Sequence, residues 1–314
     1  MSLQIWRALE ELPKGSDRAV VTIGNFDGVH IGHRFLFDEV RKRATASGAR
    51  AVAVTFDPHP VHVLAPDREL KLLTPMPERL RLFAECGLDG VLVLRFDDAL
   101  AAVSGEDFVR DILVNGLRAR EILVGRDFRF GWRAAGNVAL LERMGAQHDF
   151  RMTPVAPLEK RGGIVSSTRI RQLIAGGSVA AAARFLGRRY SVEGAIAPGR
   201  GLGSRATVPT LNLAPYAELL PRRGVYVTRT CCGDHEGVSV TNIGTNPTVG
   251  ETQLHLESHF LDAPPVGWTA ADRMRVIFYF RIRDEIKFPS VDVLRARIGQ
   301  DIAFSRKYFL ETGC

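Results

Sequence analysis

The sequence is poor in cysteine and has no long hydrophobic segment. Its four cysteines among 314 residues, Cys86, Cys231, Cys232 and Cys314, form no CxxC pair, and the adjacent pair is badly placed for an ordinary disulfide. Reduced, mostly structural thiols are therefore expected. No apolar run approaches membrane-spanning length, and the N-terminus carries acidic residues where a signal peptide needs an apolar core. These absences predict a cytoplasmic protein without membrane attachment.

The sequence also lacks a block of like charge. Its 42 Lys and Arg against 35 Asp and Glu give a net charge of +7, but the basic residues are scattered along the chain. Dispersed positive charge suits phosphate-bearing small molecules as well as RNA. The hydrophobic content of 46% is that of a folded globular protein, and the length allows two packed cores. Two domains are expected.

The first part of the chain, up to about residue 187, alternates short apolar runs with helical patterns. Buried strands are predicted at AVVTI (19–23), AVAVTF (51–56), VLVL (91–94) and EILV (121–124). Apolar residues at helical spacing lie between them, as in Leu36/Val40/Ala44, Met76/Leu80/Phe83 and Phe108/Ile112. Such alternation implies right-handed crossovers onto a parallel sheet, with ligands at the carboxyl ends of the strands. Residues 1–187 are thus predicted to form an α/β, Rossmann-like nucleotide-binding domain.

Beyond residue 187, helical spacing gives way to period-two runs between Gly, Pro and Asn clusters. Strands are predicted at YSVEGAI, GVYVTRT, GVSVTNI, LHLESHFL and RMRVIFYFRIR, and a helix at roughly 290–310. Several such strands with short loops favour a closed antiparallel β-barrel, because closure removes exposed strand edges. Residues 188–314 are predicted to form this barrel, with the terminal helix packed across it.

A glycine-rich turn directly follows the first of these strands, where residues 24–33 read GNFDGVHIGH. Glycine lets the backbone approach a ligand closely, and the next helix offers its first N–H groups to phosphate, so Gly24, Phe26 and Gly32 are predicted to contact ATP. His30 and His33 would lie on one face of the helix start and could point together at a triphosphate. The alternative is that both histidines only cap the turn. GxGxxG is absent, which disfavours a nicotinamide dehydrogenase.

A second cluster, SSTRIR at residues 166–171, opens another predicted helix. Its hydroxyl groups would cap exposed backbone N–H groups, and Arg171 would lie one turn further on, ready to meet a phosphate. Taken alone, this cluster is more typical of an ordinary capped helix.

Together the two clusters resemble the nucleotidylyltransferase superfamily, with its HxGH turn and late SSTxxR helix. The segments TFDPHP (55–60) and GRDFRFG (125–131) narrow the resemblance to the FMN adenylyltransferase half of bacterial bifunctional riboflavin kinase/FAD synthetases. The resemblance implies three groups of site residues: His30 and His33 for ATP phosphates, Ser167, Thr168 and Arg171 for pyrophosphate, and His59 and Asp127 for the flavin side. Because an FMN phosphate is already ionised near neutral pH, positioning and charge neutralisation, aided by Mg²⁺, should supply most of the rate.

The barrel half contains a glycine-rich stretch with Gly199, Gly201 and Gly203, followed by PTLN (209–212). A glycine-rich loop can wrap phosphate with its N–H groups, and Thr and Asn offer the hard oxygen ligands that suit Mg²⁺. By pattern alone, a plain turn explains these residues better.

Further along, the strand LHLESHFLD (254–262) alternates so that His255, Glu257 and His259 share one face. A solvated polar face and a metal site formed by the two histidines are both open alternatives for this strand.

These barrel segments resemble the riboflavin kinase module, which has a PTxN motif, then NIGTNPT (242–248), then the Glu257 strand, then Arg283 and Lys287. The resemblance implies that Thr210 and Asn212 coordinate Mg²⁺ with ATP, that Glu257 is the base and that Arg283 contacts the flavin. A base makes chemical sense because the 5′-hydroxyl of riboflavin must lose a proton during attack. The expected reactions convert riboflavin and ATP to FMN and ADP, then FMN and ATP to FAD and pyrophosphate.

The chain departs from the family pattern GFPTAN at Thr207, where a positive φ would strain a β-branched residue. A single-activity adenylyltransferase with a degenerate kinase domain is therefore an alternative, as is an adenylyl or cytidylyl transferase with another acceptor, such as phosphopantetheine. The sequence HIGH and the net charge leave a class I aminoacyl-tRNA-synthetase-like, RNA-binding or flavin-carrying protein open, although no KMSKS-like loop is visible. Riboflavin, FMN and ATP are the expected partners, and no nucleic acid is expected.

Overall fold

The structure is a computed structural model, and its described residues are 3–13, 15, 17–161, 163–197, 210–214, 216, 218–233, 235–245, 254–262, 272–286 and 288–313, with the side chain of Thr210 excluded. The chain forms two compact units, Met1–Ser167 and Thr168–Cys314. Among the predicted site residues, Gly199, Gly201 and Gly203 lie outside the described residues, as does Thr207.

The first unit is built on a six-stranded parallel sheet. Its strands are β1 (Gln4–Trp6), β2 (Ala19–Ile23), β3 (Arg50–Asp57), β4 (Gly90–Arg95), β5 (Ala119–Gly125) and β6 (Arg151–Val155). They lie side by side in the order β1-β4-β3-β2-β5-β6, and every neighbouring pair is parallel. The strand order reverses between β2 and β5, which makes their carboxyl ends the switch point where such sheets bind ligands.

Helices cover both faces of this sheet. They are α1 (Ile31–Ser47), α2 (Pro60–Leu64), α3 (Met76–Glu85), α4 (Asp98–Ala101), α5 (Gly105–Asp107), a π-helix (Phe108–Gly116) that continues α5, and α6 (Val138–His148). Val20 of β2 packs with Phe37 and Phe83 on one face, whereas Val21 belongs to a second core on the other. Burial on both faces explains why the strand AVVTI reads as an unbroken apolar run.

A short hairpin of β7 (Glu159–Lys160) and β8 (Gly163–Ile164) completes the first unit. No helix among the residues that the structure describes is long and apolar enough to cross a membrane.

The second unit contains a closed six-stranded barrel. Its strands are β9 (Tyr190–Ala197), β10 (Thr210–Leu213), β11 (Gly224–Cys232), β12 (His235–Thr245), β13 (Leu254–Phe260) and β14 (Arg273–Arg283). They pair antiparallel in the order β10-β13-β12-β11-β14-β9, and β9 closes the ring against β10. The helices α7 (Ser167–Ala175), α8 (Val179–Leu186) and α9 (Val291–Thr312) accompany it.

The predicted fold class is confirmed for both halves: an α/β domain on a parallel sheet, then an antiparallel barrel with a terminal helix. The sequence does not predict five of the strands. They are the three-residue β1, the edge strand β6, which contains Pro154, the two-residue strands β7 and β8, and β10, whose sequence TLNL lies in a segment that the pattern assigns to a turn. The segment with Phe108 and Ile112 forms a π-helix, which the apolar spacing alone does not separate from an α-helix. The domain boundary near Gly187 stays a prediction.

The two adjacent cysteines are not joined to each other. Cys231 and Cys232 are both reduced thiols, and burial, assisted by Glu236, raises the pKa of the Cys231 thiol to about 11. Burial also raises the pKa of Cys232. Since the thiolate is the reactive form, these thiols are poor nucleophiles near neutral pH, as expected for structural cysteines.

Candidate functional site

Three of the predicted segments follow the carboxyl ends of neighbouring strands in the first unit. Residues 24–33 follow β2, His59 follows β3, and Asp127 follows β5. His59 is buried and its ring caps α2, whereas Asp127 is exposed. The sheet therefore gathers these segments, which are far apart in sequence, at the edge where an α/β fold binds its ligand.

His30 and His33 lie at the start of α1 with their rings stacked. The ring centroids are 3.5 Å apart and the ring planes differ by 18°. His30 is the N-cap of the helix, and its Nδ1 accepts a hydrogen bond of 3.2 Å from the backbone N–H of His33. A neutral imidazole that accepts at Nδ1 carries its proton on Nε2. Capping of the turn, which the sequence left as an alternative, is thus a real function of His30, and it also fixes which nitrogen can donate.

Two glycines make room for rings in this turn. A Cβ on Gly32 would lie 3.2 Å from the His30 ring, and one on Gly24 would lie 3.0 Å from the Phe26 ring. The Phe26 ring is buried and stands edge-on to His33, with centroids 5.2 Å apart at 89°. Phe26 therefore supports the His33 ring from the core side.

The backbone of the turn adopts conformations that side-chain-bearing residues avoid. Phe26 has φ 49°, Gly28 has φ 87° and Val29 has φ 37°. Positive φ is uncommon outside glycine, and for a β-branched residue such as Val29 it is a strained conformation. Such a turn persists only where its surroundings hold it.

Asp27 supplies much of that support from inside the protein. It is 2% exposed, and both carboxylate oxygens accept from the backbone N–H of Leu73 at 3.0 Å. One of them also accepts from the backbone N–H of Thr74 at 3.1 Å. In return, the Thr74 hydroxyl accepts a 3.0 Å hydrogen bond from the N–H of Gly28. The turn is thereby fastened to the segment that precedes α3.

Arg79 on α3 is the cation of this network, and no role for it was predicted. It is 1% exposed, donates to the carbonyl oxygens of Asn25 at 3.0 Å and Thr74 at 3.2 Å, and lies 3.9 Å from Asp27. A signal for it was present, because Arg79 lies on the apolar helix stripe predicted from Met76, Leu80 and Phe83. An arginine on a buried stripe implies a buried partner.

The second sequence cluster reaches the same turn. The Ser167 hydroxyl, at the first position of α7, donates a 2.7 Å hydrogen bond to the carbonyl oxygen of Asp27. The structure thus brings the start of SSTRIR against GNFDGVHIGH within the first unit. Thr168 and Arg171 follow on α7 as an exposed and a half-buried residue of the second unit.

In the barrel, the predicted kinase residues meet on neighbouring strands. Glu257 of β13 is paired in register with Asn212 of β10 on one side and with Asn242 of β12 on the other. Glu257 is exposed, while the residues before and after it in the strand, Leu256 and Ser258, are buried in the barrel interior. The carboxylate therefore stands on the outer surface between two asparagines. Asn242 belongs to the quoted motif NIGTNPT, but no role was predicted for it.

The neighbouring cross-strand row contains Thr210 and His259, which are also paired in register. His255 pairs with Gly244 in the row on the other side of Glu257. His255 and His259 therefore flank Glu257 along one strand. Among the described residues, no group of three or more His, Cys, Asp or Glu side chains could hold a metal ion.

Arg283, the predicted flavin contact, is held within the barrel unit. Its Nη2 is 2.7 Å from Asp301 of α9, its Nε donates to both oxygens of that carboxylate, and its Nη1 donates to the carbonyl oxygen of Asp284. The side chains of Arg283 and Asp301 are only 13% and 3% exposed. The guanidinium also lies 5.7 Å from the Phe288 ring.

The first unit has a histidine pair at the switch point of an α/β sheet, and the barrel in the same chain carries an exposed carboxylate between two asparagines. Together these two features define a transferase that uses nucleotides. A family model described as FAD synthetase matches residues 12–169, and one described as riboflavin kinase matches residues 186–309. The chain belongs to the bifunctional riboflavin kinase/FMN adenylyltransferase family, which confirms the resemblance seen in its motifs.

Relatives match along nearly the whole chain. The bifunctional riboflavin kinase/FMN adenylyltransferase of Escherichia coli (strain K12) is 35% identical over 310 residues, 98% of each chain. The protein of the same name from Pseudomonas fluorescens is 33% identical over 311 residues, 97% of each chain. A crystal structure described as a macrolide-efflux protein from Streptococcus pneumoniae is 28% identical, with a TM-score of 0.86 over 98% of this chain and 99% of that one. The efflux activity in that description belongs to the Streptococcus protein.

Proposed function

We propose that this chain performs two successive reactions in flavin cofactor synthesis. Riboflavin and ATP give FMN and ADP, and FMN and a second ATP give FAD and pyrophosphate. The observation that carries this proposal is the stacked pair His30 and His33 at the switch point of a sheet in a chain that both family models match. We further propose domains 1–187 and 188–314, one for each reaction, and a cytoplasmic location, which the free thiols of the three described cysteines support.

Adenylyl transfer is proposed to occur beside the histidine pair. A phosphate oxygen of FMN attacks the α-phosphorus of ATP, a new P–O bond forms, and the bond to the β-phosphate breaks as pyrophosphate leaves. His30 and His33 donate from Nε2 to the phosphate oxygens on which negative charge grows, and little proton transfer is needed. The capped, stacked arrangement supports this role because a donor that is already oriented costs no reorganisation in the transition state.

The remaining residues of this site are proposed to bind the two ends of the substrates. Ser167, Thr168 and Arg171 hold the pyrophosphate end at the N-terminus of α7, where backbone N–H groups favour an anion. His59 and Asp127, which follow β3 and β5, line the flavin side. Gly24, Phe26 and Gly32 shape the turn so that ATP approaches its backbone.

Riboflavin phosphorylation is proposed to take place on the outer surface of the barrel. Glu257 accepts the proton of the riboflavin 5′-hydroxyl as its oxygen attacks the γ-phosphorus of ATP and ADP leaves. Its exposure between Asn212 and Asn242 supports this role, because a base has to reach a substrate held outside the barrel. Arg283 is proposed to contact the flavin, with its guanidinium held by Asp301.

Mg²⁺ is proposed as the metal of this reaction, held with ATP by Thr210 and Asn212. The residues fit the ion, because hydroxyl, amide and carboxylate oxygens are its preferred ligands and Asn212 stands in register with Glu257. When bound, Mg²⁺ neutralises phosphate charge. Gly199, Gly201 and Gly203, which lie outside the described residues, are proposed to bind phosphate through their backbone N–H groups.

The direct test is to incubate the purified chain with riboflavin, ATP and Mg²⁺ and to separate the flavins by chromatography. FMN should appear first and FAD should follow. FMN without FAD would refute the adenylyltransferase half of the proposal. A complete failure to form FMN, with FAD still made from added FMN, would refute the kinase half and favour the degenerate barrel that Thr207 suggested.

Single substitutions should separate the two reactions. His33→Ala is expected to lower FAD formation from FMN by at least about 100-fold and to leave riboflavin phosphorylation unchanged, because it removes a donor to transition-state charge. Glu257→Ala should lower phosphorylation by about 100- to 10,000-fold and leave FAD formation intact, because it removes a base. His148→Ala and Glu193→Gln, remote residues in the same two units, are the matched controls. Loss of both reactions in either folded site variant would contradict separate active sites.

A further inference from the structure

Five hydroxyl side chains form a closed ring inside the barrel. They come from three adjacent strands and are all 0% exposed: Thr228, Thr230, Ser239, Thr241 and Ser258. Their oxygen atoms form the links Thr228–Ser239 at 2.7 Å, Ser239–Thr230 at 2.8 Å, Thr230–Ser258 at 2.5 Å, Ser258–Thr241 at 3.0 Å and Thr241–Thr228 at 2.7 Å. This hydroxyl ring joins β11, β12 and β13.

A ring of five hydroxyls can satisfy itself without water. Each hydroxyl has one proton to donate, and five links around a ring use each proton once and give each oxygen one proton to accept. Removal of one hydroxyl opens the ring and leaves each of its two neighbours without one ring partner, in an interior where unsatisfied polar groups are costly. The ring is therefore complete only in the one strand alignment that brings all five oxygens together.

The ring lies directly behind the proposed kinase residues. Ser258 and Thr241 are paired across β13 and β12, and the residues next to them, Glu257 and Asn242, are paired on the outer surface. Successive residues of a strand point to opposite faces, so the inner pair and the outer pair share one register.

The apolar pattern of these strands does not fix that register by itself. A slip of two residues keeps every side chain on its own face of the sheet, so inward residues stay inward. It would, however, move Glu257 from Asn242 to Val240 or to Gly244. The same slip would place the Thr241 hydroxyl against Leu256 or Phe260, where it finds no hydroxyl partner. The hydrogen bonds of the ring therefore exclude a two-residue slip between β12 and β13, which the alternation of apolar residues alone would permit.

We propose that the hydroxyl ring is a positioning device for riboflavin phosphorylation. It holds β12 and β13 in the register that sets the Glu257 carboxylate between Asn242 and Asn212. Its members touch no substrate and act only through Glu257. This inference rests on the proposed role of Glu257 as the base.

Thr241 offers a matched pair of variants for the test. Thr241→Val keeps the shape of the side chain and removes the hydroxyl, whereas Thr241→Ser keeps the hydroxyl and removes a methyl group. Thr241→Val is expected to lower kcat of phosphorylation by about tenfold or more, with KM for riboflavin and ATP within about twofold of the unchanged chain. Thr241→Ser should keep kcat within about threefold, and FAD formation from FMN should be unaffected in both variants.

Two more variants separate positioning from stability. Val192→Ala removes buried volume on β9, which contributes no hydroxyl to the ring, and should destabilise the barrel without lowering kcat of phosphorylation in the folded protein. If Thr241→Val does not fold, the double variant Thr241→Val, Ser258→Ala, which removes one link together with both of its hydroxyls, should still lower kcat.

The outcomes distinguish the proposed role of the ring from the proposed role of Glu257 as the base. A folded Thr241→Val or double variant with unchanged kcat, beside a Glu257→Gln variant that has lost phosphorylation, would overturn the ring proposal alone. Equal losses of kcat in Thr241→Val, Thr241→Ser and Val192→Ala would also overturn it, because activity would then follow stability. Full phosphorylation by Glu257→Gln would instead overturn the proposed base.

Discussion

At the scale of single residues, the buried pair of Asp27 and Arg79 connects folding with the proposed chemistry. Each is at most 2% exposed, so neither charge is solvated by water. Arg79 donates hydrogen bonds to the carbonyl oxygens of Asn25 and Thr74, and the Asp27 carboxylate accepts hydrogen bonds from backbone N–H groups. The pair therefore stabilises a turn whose backbone is strained at Val29, and that turn leads directly into His30.

Replacement of Arg79 should show how much this support contributes. Arg79→Met leaves the Asp27 carboxylate buried without its cation, and the free energy of unfolding should fall by about 3 kcal/mol. Urea denaturation measures the change. Arg81→Met is the control, because Arg81 lies on the same helix in exposed pairs with Glu78 and Glu85 and should cost less than about 1 kcal/mol. Equal losses in the two variants would contradict a special role for Arg79.

At the scale of secondary-structure elements, a largely buried ion pair helps to attach α9 to the barrel. Arg283 at the end of β14 is bound through two nitrogens by Asp301, and Arg297 lies 3.6 Å from the same carboxylate. The backbone oxygen of Asp301 also accepts a 2.9 Å hydrogen bond from the buried Ser305 hydroxyl. The helix therefore fixes the guanidinium for which a flavin contact is proposed.

Asp301→Asn should weaken this attachment. The substitution leaves Arg283 largely buried without a counter-charge, and unfolding should become easier by roughly 3 kcal/mol in a urea titration. We also expect a higher KM for riboflavin, because the guanidinium loses its fixed orientation. Glu311→Gln on the same helix removes an exposed pair with Lys307 and should change stability by less than about 1 kcal/mol. An Asp301→Asn chain as stable as the control would show that the Arg283–Asp301 pair does not hold α9.

The elements that the sequence predicted are those with a strong local pattern. β2 through β5 are apolar runs bounded by turns, and most barrel strands alternate clearly, so both sheets were expected. β10 was missed because its four residues lie in a motif that was interpreted through its ligand chemistry. The π-helix at Phe108–Gly116 was expected as an α-helix because its apolar residues suit either form over so short a length.

Site residues that belong to a recognisable motif could be proposed from the sequence. Residues that reach the site only through the pairing of neighbouring strands could not. His30 and His33 are neighbours along the chain, so their common direction follows from helix geometry. Asn242, by contrast, comes to stand beside Glu257 only through the register of β12 and β13. No period in the sequence encodes that register, and the roles of all these residues stay predictions.

At the scale of the whole molecule, the two proposed reactions draw on the same nucleotide but release different products. Complete conversion of riboflavin to FAD should release ADP and pyrophosphate in equal amounts. A coupled assay for ADP and a coupled assay for pyrophosphate can follow the same reaction mixture. Glu257→Gln supplied with FMN should release pyrophosphate without ADP, and His33→Ala supplied with riboflavin should release ADP without pyrophosphate. Chelation of Mg²⁺ should stop both signals. Pyrophosphate released from riboflavin without any ADP would contradict the proposed order.

Closure of the barrel has a consequence for anyone who divides this chain. β9 lies between β14 and β10 and pairs with both. A fragment that starts after Ala197 would lack β9, so β14 and β10 would each have one unpaired edge. Unpaired strand edges pair with strands of other molecules, so the fragment should aggregate. A separately produced kinase half therefore has to begin upstream of Tyr190.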